Sequence, residues 1–130
     1  MTYFRGAIVA LSFLVWGSCT QLSPDRKLAL QVTNKGQENI DFLTVSTMNG
    51  QGKTANHSVP KEATVNVDLG FGKVDKTDGS YQLRYKFSNS ADTLVKDFGY
   101  YTNGYPLEKT LILNVYADSI SVDRIPLDSY

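Results

Sequence analysis

The side chains that could perform chemistry are few and far apart in this 130-residue chain. The usual nucleophile and general base, cysteine and histidine, occur once each, as Cys19 and His57. One histidine cannot build a His-rich metal site, and no serine stands in a nucleophile elbow. Two carboxylate pairs are close in sequence, Asp75 with Asp78 and Asp118 with Asp123. Turn formation accounts for Asp78 and Asp118, because aspartate commonly bonds nearby backbone, and neither pair forms an EF-hand-like calcium loop. We therefore predict no enzyme, no metal site and no cofactor.

Cys19 is informative because of the segment that precedes it. Arg5 and the amino terminus are basic, residues 7–16 are almost wholly apolar, and the chain becomes polar from Thr20 onward. This is the layout of a secretory signal peptide, and its apolar run is shorter than the ~20 residues that cross a bilayer. Trp16-Gly17-Ser18-Cys19 resembles the lipobox of bacterial envelope lipoproteins, although Trp16 stands where that family usually has leucine.

The resemblance implies how the chain is organised. Residues 1–18 would be a signal peptide, 19–26 a lipidated cysteine with a short tether, and 27–130 a single domain. Lipid on Cys19 would anchor the protein to the cell envelope. Thr20, rather than aspartate, follows the cysteine, which implies sorting to the outer rather than the inner membrane. Two alternatives stay open: ordinary signal cleavage after Cys19 or Thr20, and an anchor that is never cleaved.

The chain after Cys19 has the composition of one small exported domain. Cleavage would remove one basic residue, Arg5, and no acidic residue, so the net charge would change from 0 to −1. A nearly neutral domain does not attract nucleic acid. No cysteine follows Cys19, so an internal disulfide is impossible and the apolar core must supply the stability.

Short segments rich in β-branched and aromatic residues, separated by turn residues, predict an all-β fold. The segments are 27–33, 40–48, 64–69, 81–88, 93–101, 109–116 and 120–125, with a weaker one at 53–59. Apolar residues of both parities in 40–48 predict a β-bulge near Phe42. The expected architecture is a single antiparallel β-sandwich of about seven strands. Alternation predicts a core of Leu28, Leu30, Val32, Val65, Val67, Tyr81, Leu83, Tyr85, Phe87, Leu111, Leu113 and Val115.

A second resemblance concerns the segment Asp78-Gly79-Ser80-Tyr81-Gln82-Leu83. It is similar to the tyrosine corner of immunoglobulin-like sandwiches, in which an early tyrosine of a strand bonds back to upstream backbone. Leu83 stands where antibody domains carry a cysteine. The resemblance implies an immunoglobulin-like topology.

One aromatic segment is a candidate partner-binding surface. Asn103-Gly104 is a strong hairpin-turn pair, and consecutive tyrosines at 100 and 101 would point to opposite faces of a strand. We therefore expect exposed tyrosines at a hairpin tip, with Tyr101, Asn103 and Tyr105 contacting a protein partner. A sugar is the less favoured partner, because the domain would lack tryptophan.

These observations predict a function without catalysis. The favoured hypothesis is a membrane-anchored binding or assembly module of the bacterial cell envelope. The alternative is an inhibitor or immunity-type lipoprotein that neutralises a toxin or a cell-wall-degrading enzyme.

Overall fold

The computed structural model describes residues 26–127, and this part of the chain is all-β with no helix. Its strands are β1 (Lys27–Asn34), β2 (Ile40–Thr47), β3 (His57–Val59), β4 (Thr64–Gly70), β5 (Gly79–Phe87), β6 (Leu94–Thr102), β7 (Tyr105–Pro106), β8 (Glu108–Val115) and β9 (Ile120–Pro126). These nine strands within 26–127 correct the expected number of about seven. The two shortest, β3 and β7, have three and two residues, too few for a periodic pattern to be read from sequence.

The strands form two sheets. One has the order β4-β1-β8-β9 and the other β3-β2-β5-β6-β7. All pairs are antiparallel except β1 with β8, which run parallel from Ala29 opposite Thr110 to Asn34 opposite Val115. The predicted antiparallel arrangement therefore holds for every pair in residues 26–127 except this one. Parallel neighbours need a long crossover, and here the crossover between β1 and β8 contains the whole second sheet.

One hydrophobic core draws side chains from both sheets. The predicted core is confirmed, with the qualification that Val65 is only partly buried. Alternation succeeded because each of these strands turns one face inward. Further core residues come from β2, β6, strand ends and the loop after β4: Ile40, Leu43, Val45, Val59, Leu69, Phe71, Val74, Phe98 and Tyr101.

Strand β2 carries the predicted bulge. Its pairing with β5 shifts register between Ile40 and Phe42. Ile40 is buried and the next buried residue is Leu43, three positions on rather than two. The extra residue reverses the phase of the strand, so that apolar residues of both parities enter the core.

Strand β6 carries a bulge that the sequence did not predict. Gly99 has a φ of 62°, and the β5–β6 pairing advances three residues on β6, from Phe98 to Tyr101, against two on β5. Phe98 and Tyr101 are therefore both buried, while Tyr100 lies on the outer surface. This corrects the expectation that Tyr101 is exposed for a partner, because its side chain is 1% exposed.

The tyrosine-corner bond is absent as well. Tyr81 packs its ring against Phe71, Phe98 and Tyr101 at centroid distances of 5.4–6.1 Å. Its hydroxyl is buried and has no hydrogen-bond partner among the described residues. The backbone bond that the resemblance implied is therefore wrong for this chain.

Candidate functional site

The hairpin between β6 and β7 is formed by the predicted turn pair. Asn103 and Gly104 have φ values of 54° and 70°, the left-handed conformations that a two-residue hairpin needs. The backbone N–H of Asn103 donates to Asp78 Oδ1 at 2.8 Å, and that of Gly104 donates to the Thr77 carbonyl at 2.8 Å. The loop 71–78 therefore holds the hairpin tip in one position.

Tyr105 is exposed as predicted, and it lies against the start of the domain. Its side chain is 46% exposed. The guanidinium of Arg26 sits 4.8 Å above the centroid of its ring, and Arg26 Nη1 donates to the Gly104 carbonyl at 3.1 Å. A cation at this distance is attracted to the ring face. Of the three predicted partner-contact residues, Asn103 and Tyr105 lie together at this tip, and Tyr101 lies beneath them in the core.

Tyr100 takes the exposed position that Tyr101 was expected to have. Its ring is 47% exposed. A hydrogen bond with the Asp78 carboxylate raises the pKa of the Tyr100 hydroxyl, since the bond favours the protonated phenol.

A groove beside Tyr100 brings together residues that the sequence did not single out. It has a volume of about 360 Å³, and we call it the Glu108 groove; it is lined by Gly99, Tyr100, Leu107, Glu108, Leu111, Val122 and Arg124. These residues belong to β6, β8, β9 and the single residue that links β7 to β8. The groove therefore lies where the edges of the two sheets approach each other.

Glu108 is the chemically distinctive residue of this groove. The residue is 5% exposed, although it is ionisable. Arg124 Nη1 lies 3.6 Å from Glu108 Oε1, but the arginine side chain is 71% exposed and the glutamate side chain 7%. The second carboxylate oxygen, Oε2, is buried and has no hydrogen-bond partner among the described residues. A buried acceptor atom of a charged group costs free energy when no donor bonds to it. The Glu108 carboxylate would therefore be stabilised by a further hydrogen-bond donor from a binding partner.

A second polar group without a partner among residues 26–127, the Tyr81 hydroxyl, is buried near Glu108. Burial raises the pKa of the Tyr81 hydroxyl far above its usual value, and the nearby Glu108 charge raises it further. A phenol that stays protonated could donate to a carboxylate, yet the Tyr81 hydroxyl is itself without a partner. Two polar atoms are thus buried in one region of the core without being bonded to each other.

The inward position of Glu108 depends on a third bulge. The β8–β9 pairing shifts register between Glu108 and Thr110, and the buried residues of β8 are spaced by three from Glu108 to Leu111 and by two thereafter. Simple alternation from Leu111, Leu113 and Val115 would place Glu108 outside. No pattern in the sequence signals this bulge, and sequence reasoning therefore missed Glu108.

Both strands that flank the groove have free edges in the described part of the chain. Strand β9 is the last strand of its sheet and pairs only with β8. On the outer side of β6, β7 covers only Tyr101 and Thr102, so residues 94–100 have no strand beyond them. A free edge offers unpaired N–H and C=O groups to another chain.

The remaining candidates lie elsewhere. His57 is half-buried on β3, at the edge of its sheet remote from β6 and β7. A depression of about 240 Å³ lies at the other end of the domain and is lined by Phe87, Leu94 and polar loop residues. Residues 26–127 contain no group of three or more His, Cys, Asp or Glu side chains that could hold a metal ion. Cys19 and residues 1–18 lie outside the described residues.

A search for a membrane-crossing helix within residues 26–127 finds none. Comparison of the chain with protein-family models and with curated protein sequences gives no match.

Proposed function

We propose that this chain is a non-catalytic lipoprotein of the bacterial cell envelope that binds a protein partner in the Glu108 groove. The observation that carries the binding site is the buried Glu108 carboxylate, whose Oε2 has no partner among the described residues. The lipobox-like segment ending at Cys19 supports the anchor. The position of Thr20 supports the outer membrane as its location.

The proposal includes a finer description of the fold, an immunoglobulin-like β-sandwich. Its support is that the strands of both sheets, except β7, contribute to a single core. Paired sheets that bury one face each against the other are the usual solution for such patterns.

The groove favours a partner segment that carries a lysine or arginine. Its walls are apolar at Leu107, Leu111 and Val122, which suits the aliphatic stem of either side chain. An ammonium or guanidinium at the end of that stem would pair with the Glu108 carboxylate, and charge-assisted bonds of this kind are strong. The backbone of the same segment would pair with the free edge of β9, as peptides do when they extend a sheet.

The absence of catalysis in this proposal rests on where the reactive groups lie. His57 is on β3, and the groove is bordered by β9 and by β6, near the other edge of the sheet to which β3 belongs. Within residues 26–127, the groove lining places no histidine, cysteine, serine or lysine beside Glu108 that would make a nucleophile–base pair.

The test is partner capture by the full lipidated protein from detergent-solubilised envelopes. Glu108→Gln keeps the shape of the side chain and removes its charge. We expect it to weaken partner binding about tenfold or more, because a buried charge-assisted bond contributes about 1.5–3 kcal/mol. The matched control is Glu62→Gln, which removes an exposed carboxylate at the other end of the domain and should leave capture unchanged.

Two outcomes would change the proposal. If Glu108→Gln melts like the wild type and retains every partner, the binding surface lies outside the groove. If the captured partner is a toxin or a cell-wall-degrading enzyme whose activity falls on binding, the inhibitor hypothesis replaces the assembly hypothesis while the groove remains the site.

A further inference from the structure

We propose that one end of the domain, the end at which β1 begins, rests on the bilayer surface and docks onto anionic phospholipid headgroups. We call this the N-terminal end; it comprises Arg26, the loops 48–56, 71–78 and 103–104, and residues 105, 107 and 127. The distal end comprises the loops 35–39, 60–63, 88–93 and 116–119. The inference goes beyond partner binding and rests on the proposed anchor near Cys19.

Large exposed apolar side chains are concentrated at the N-terminal end. Four of them lie there: Met48, Tyr105, Leu107 and Leu127, each between 46% and 53% exposed. The distal loops contribute one, Tyr116, at 41%. Isolated exposed apolar residues are common on protein surfaces, but a group of them at one end indicates an interaction site.

Basic residues outnumber acidic ones at the N-terminal end, and acidic residues outnumber basic ones at the distal end. The N-terminal end carries four basic residues against two acidic ones: Arg26, Lys53, Lys73 and Lys76 against Asp75 and Asp78. The distal loops reverse the ratio, with Lys35 and Lys61 against Glu38, Glu62, Asp92 and Asp118. The domain is thus dipolar, although the chain as a whole has no net charge. A basic end is attracted to anionic lipid while an acidic end is repelled.

Arg26 and Tyr105 combine the two properties in one contact. The guanidinium lies 4.8 Å above the ring centroid, so the pair is already arranged before it meets a surface. Tyrosine prefers the depth of the headgroups, where its ring is apolar and its hydroxyl is hydrated. An arginine beside it can bind a lipid phosphate through its remaining N–H groups.

The short chain between Cys19 and Arg26 indicates that the N-terminal end contacts the bilayer. Only residues 20–25 lie between the proposed lipid and Arg26, a reach of at most about 25 Å when fully extended. Strand β1 then leads away from that end for eight residues, roughly 26 Å at 3.3 Å per residue. An anchored domain therefore meets the membrane with its N-terminal end, where the apolar and basic residues are found.

Two single-tryptophan reporters test this orientation. Trp16 is the only tryptophan of the chain and lies in the proposed signal peptide, so the reporter is the only tryptophan of the mature lipidated protein. The first reporter is Tyr105→Trp at the N-terminal end, and its matched control is Tyr116→Trp at the distal end, two tyrosines of similar exposure. Tryptophan keeps the cation–π contact with Arg26. The mature lipidated protein is reconstituted into phosphatidylethanolamine–phosphatidylglycerol vesicles with brominated acyl chains, and quenching of tryptophan emission is measured.

We expect the Tyr105→Trp reporter to lose about half of its emission and to shift to the blue, because side chains at a docked interface lie within about 5–10 Å of the acyl boundary. The Tyr116→Trp reporter should be unaffected. Replacing the phosphatidylglycerol by phosphatidylcholine, or adding Lys73→Gln with Lys76→Gln, should reduce the quenching of the first reporter at unchanged anchoring.

Flotation of the same vesicles separates the two proposals. If the chain floats and both reporters are quenched alike, or neither is, the domain has no preferred orientation and the inference is wrong while the anchor stands. If the chain does not float, the anchor itself is wrong, and the docked orientation that rests on it falls too.

Discussion

Individual residues of the core are not all optimal for stability, and Tyr81 is the sharpest case. Its hydroxyl is buried without a partner in the described part of the chain, so the folded state has given up the hydration of that group without replacing it. Tyr81→Phe removes the hydroxyl and keeps the ring in its contacts with Phe71 and Phe98. We expect the free energy of unfolding to rise by about 1 kcal/mol, as measured by urea denaturation. Tyr85→Phe, the other tyrosine with an unpartnered buried hydroxyl, should change stability in the same direction. Tyr100→Phe removes a hydroxyl from an exposed residue and should have little effect or a slightly destabilising one. A clear loss of stability in Tyr81→Phe would show that the hydroxyl is bonded in solution.

At the scale of elements, the bulges in β2, β6 and β8 decide which side chains reach the core and which reach the surface. Gly99 can be tested against a glycine of similar backbone conformation. Both Gly99 and Gly50 have positive φ, at 62° and 74°, but a Cβ at Gly99 would lie 2.8 Å from Tyr81 Cδ2, whereas a Cβ at Gly50 would have no atom within 4 Å. Gly50→Ala should therefore cost only the backbone strain, about 1 kcal/mol. Gly99→Ala should cost a further ~1–3 kcal/mol, since the core around Tyr81 would be overpacked. Thermal and denaturant unfolding of the two variants would measure the difference, and equal losses would mean that β6 shifts to accommodate the methyl group.

At the scale of the whole molecule, the proposed membrane location depends on a residue outside the described domain. Cys19 is the only cysteine in the chain, so Cys19→Ser removes the proposed lipid site and leaves residues 26–127 untouched. We expect the variant to move from the membrane to the soluble fraction, because several acyl chains at ~0.8 kcal/mol per buried CH₂ are needed for stable anchoring. Density-gradient fractionation of the wild type, which should band with the outer membrane, and intact-mass analysis of its amino terminus complete the test. An unmodified terminus beyond Cys19 would indicate ordinary cleavage, and banding with the inner membrane would contradict the predicted sorting.

Local patterns in the sequence were sufficient for most of the strands, for the buried faces of β1, β5 and β8, for the bulge in β2 and for the Asn103-Gly104 turn. Each of these depends on residues close together in the chain: alternation needs only neighbours two apart, and a two-residue turn needs only its own φ preferences. The exposure of Tyr105 followed from the same local signals.

Tertiary structure alone decided the parallel pairing of β1 with β8, the burial of Tyr101 in place of Tyr100, and the inward turn of Glu108. The physical reason is that a bulge is a mismatch between two strands, so its position depends on the register of a partner distant in sequence. One extra residue at Gly99, and another between Glu108 and Leu111, exchanged the inner and outer faces of their strands. The candidate groove, with its buried carboxylate, exists only because both exchanges occur on strands that meet at the same edge of the fold.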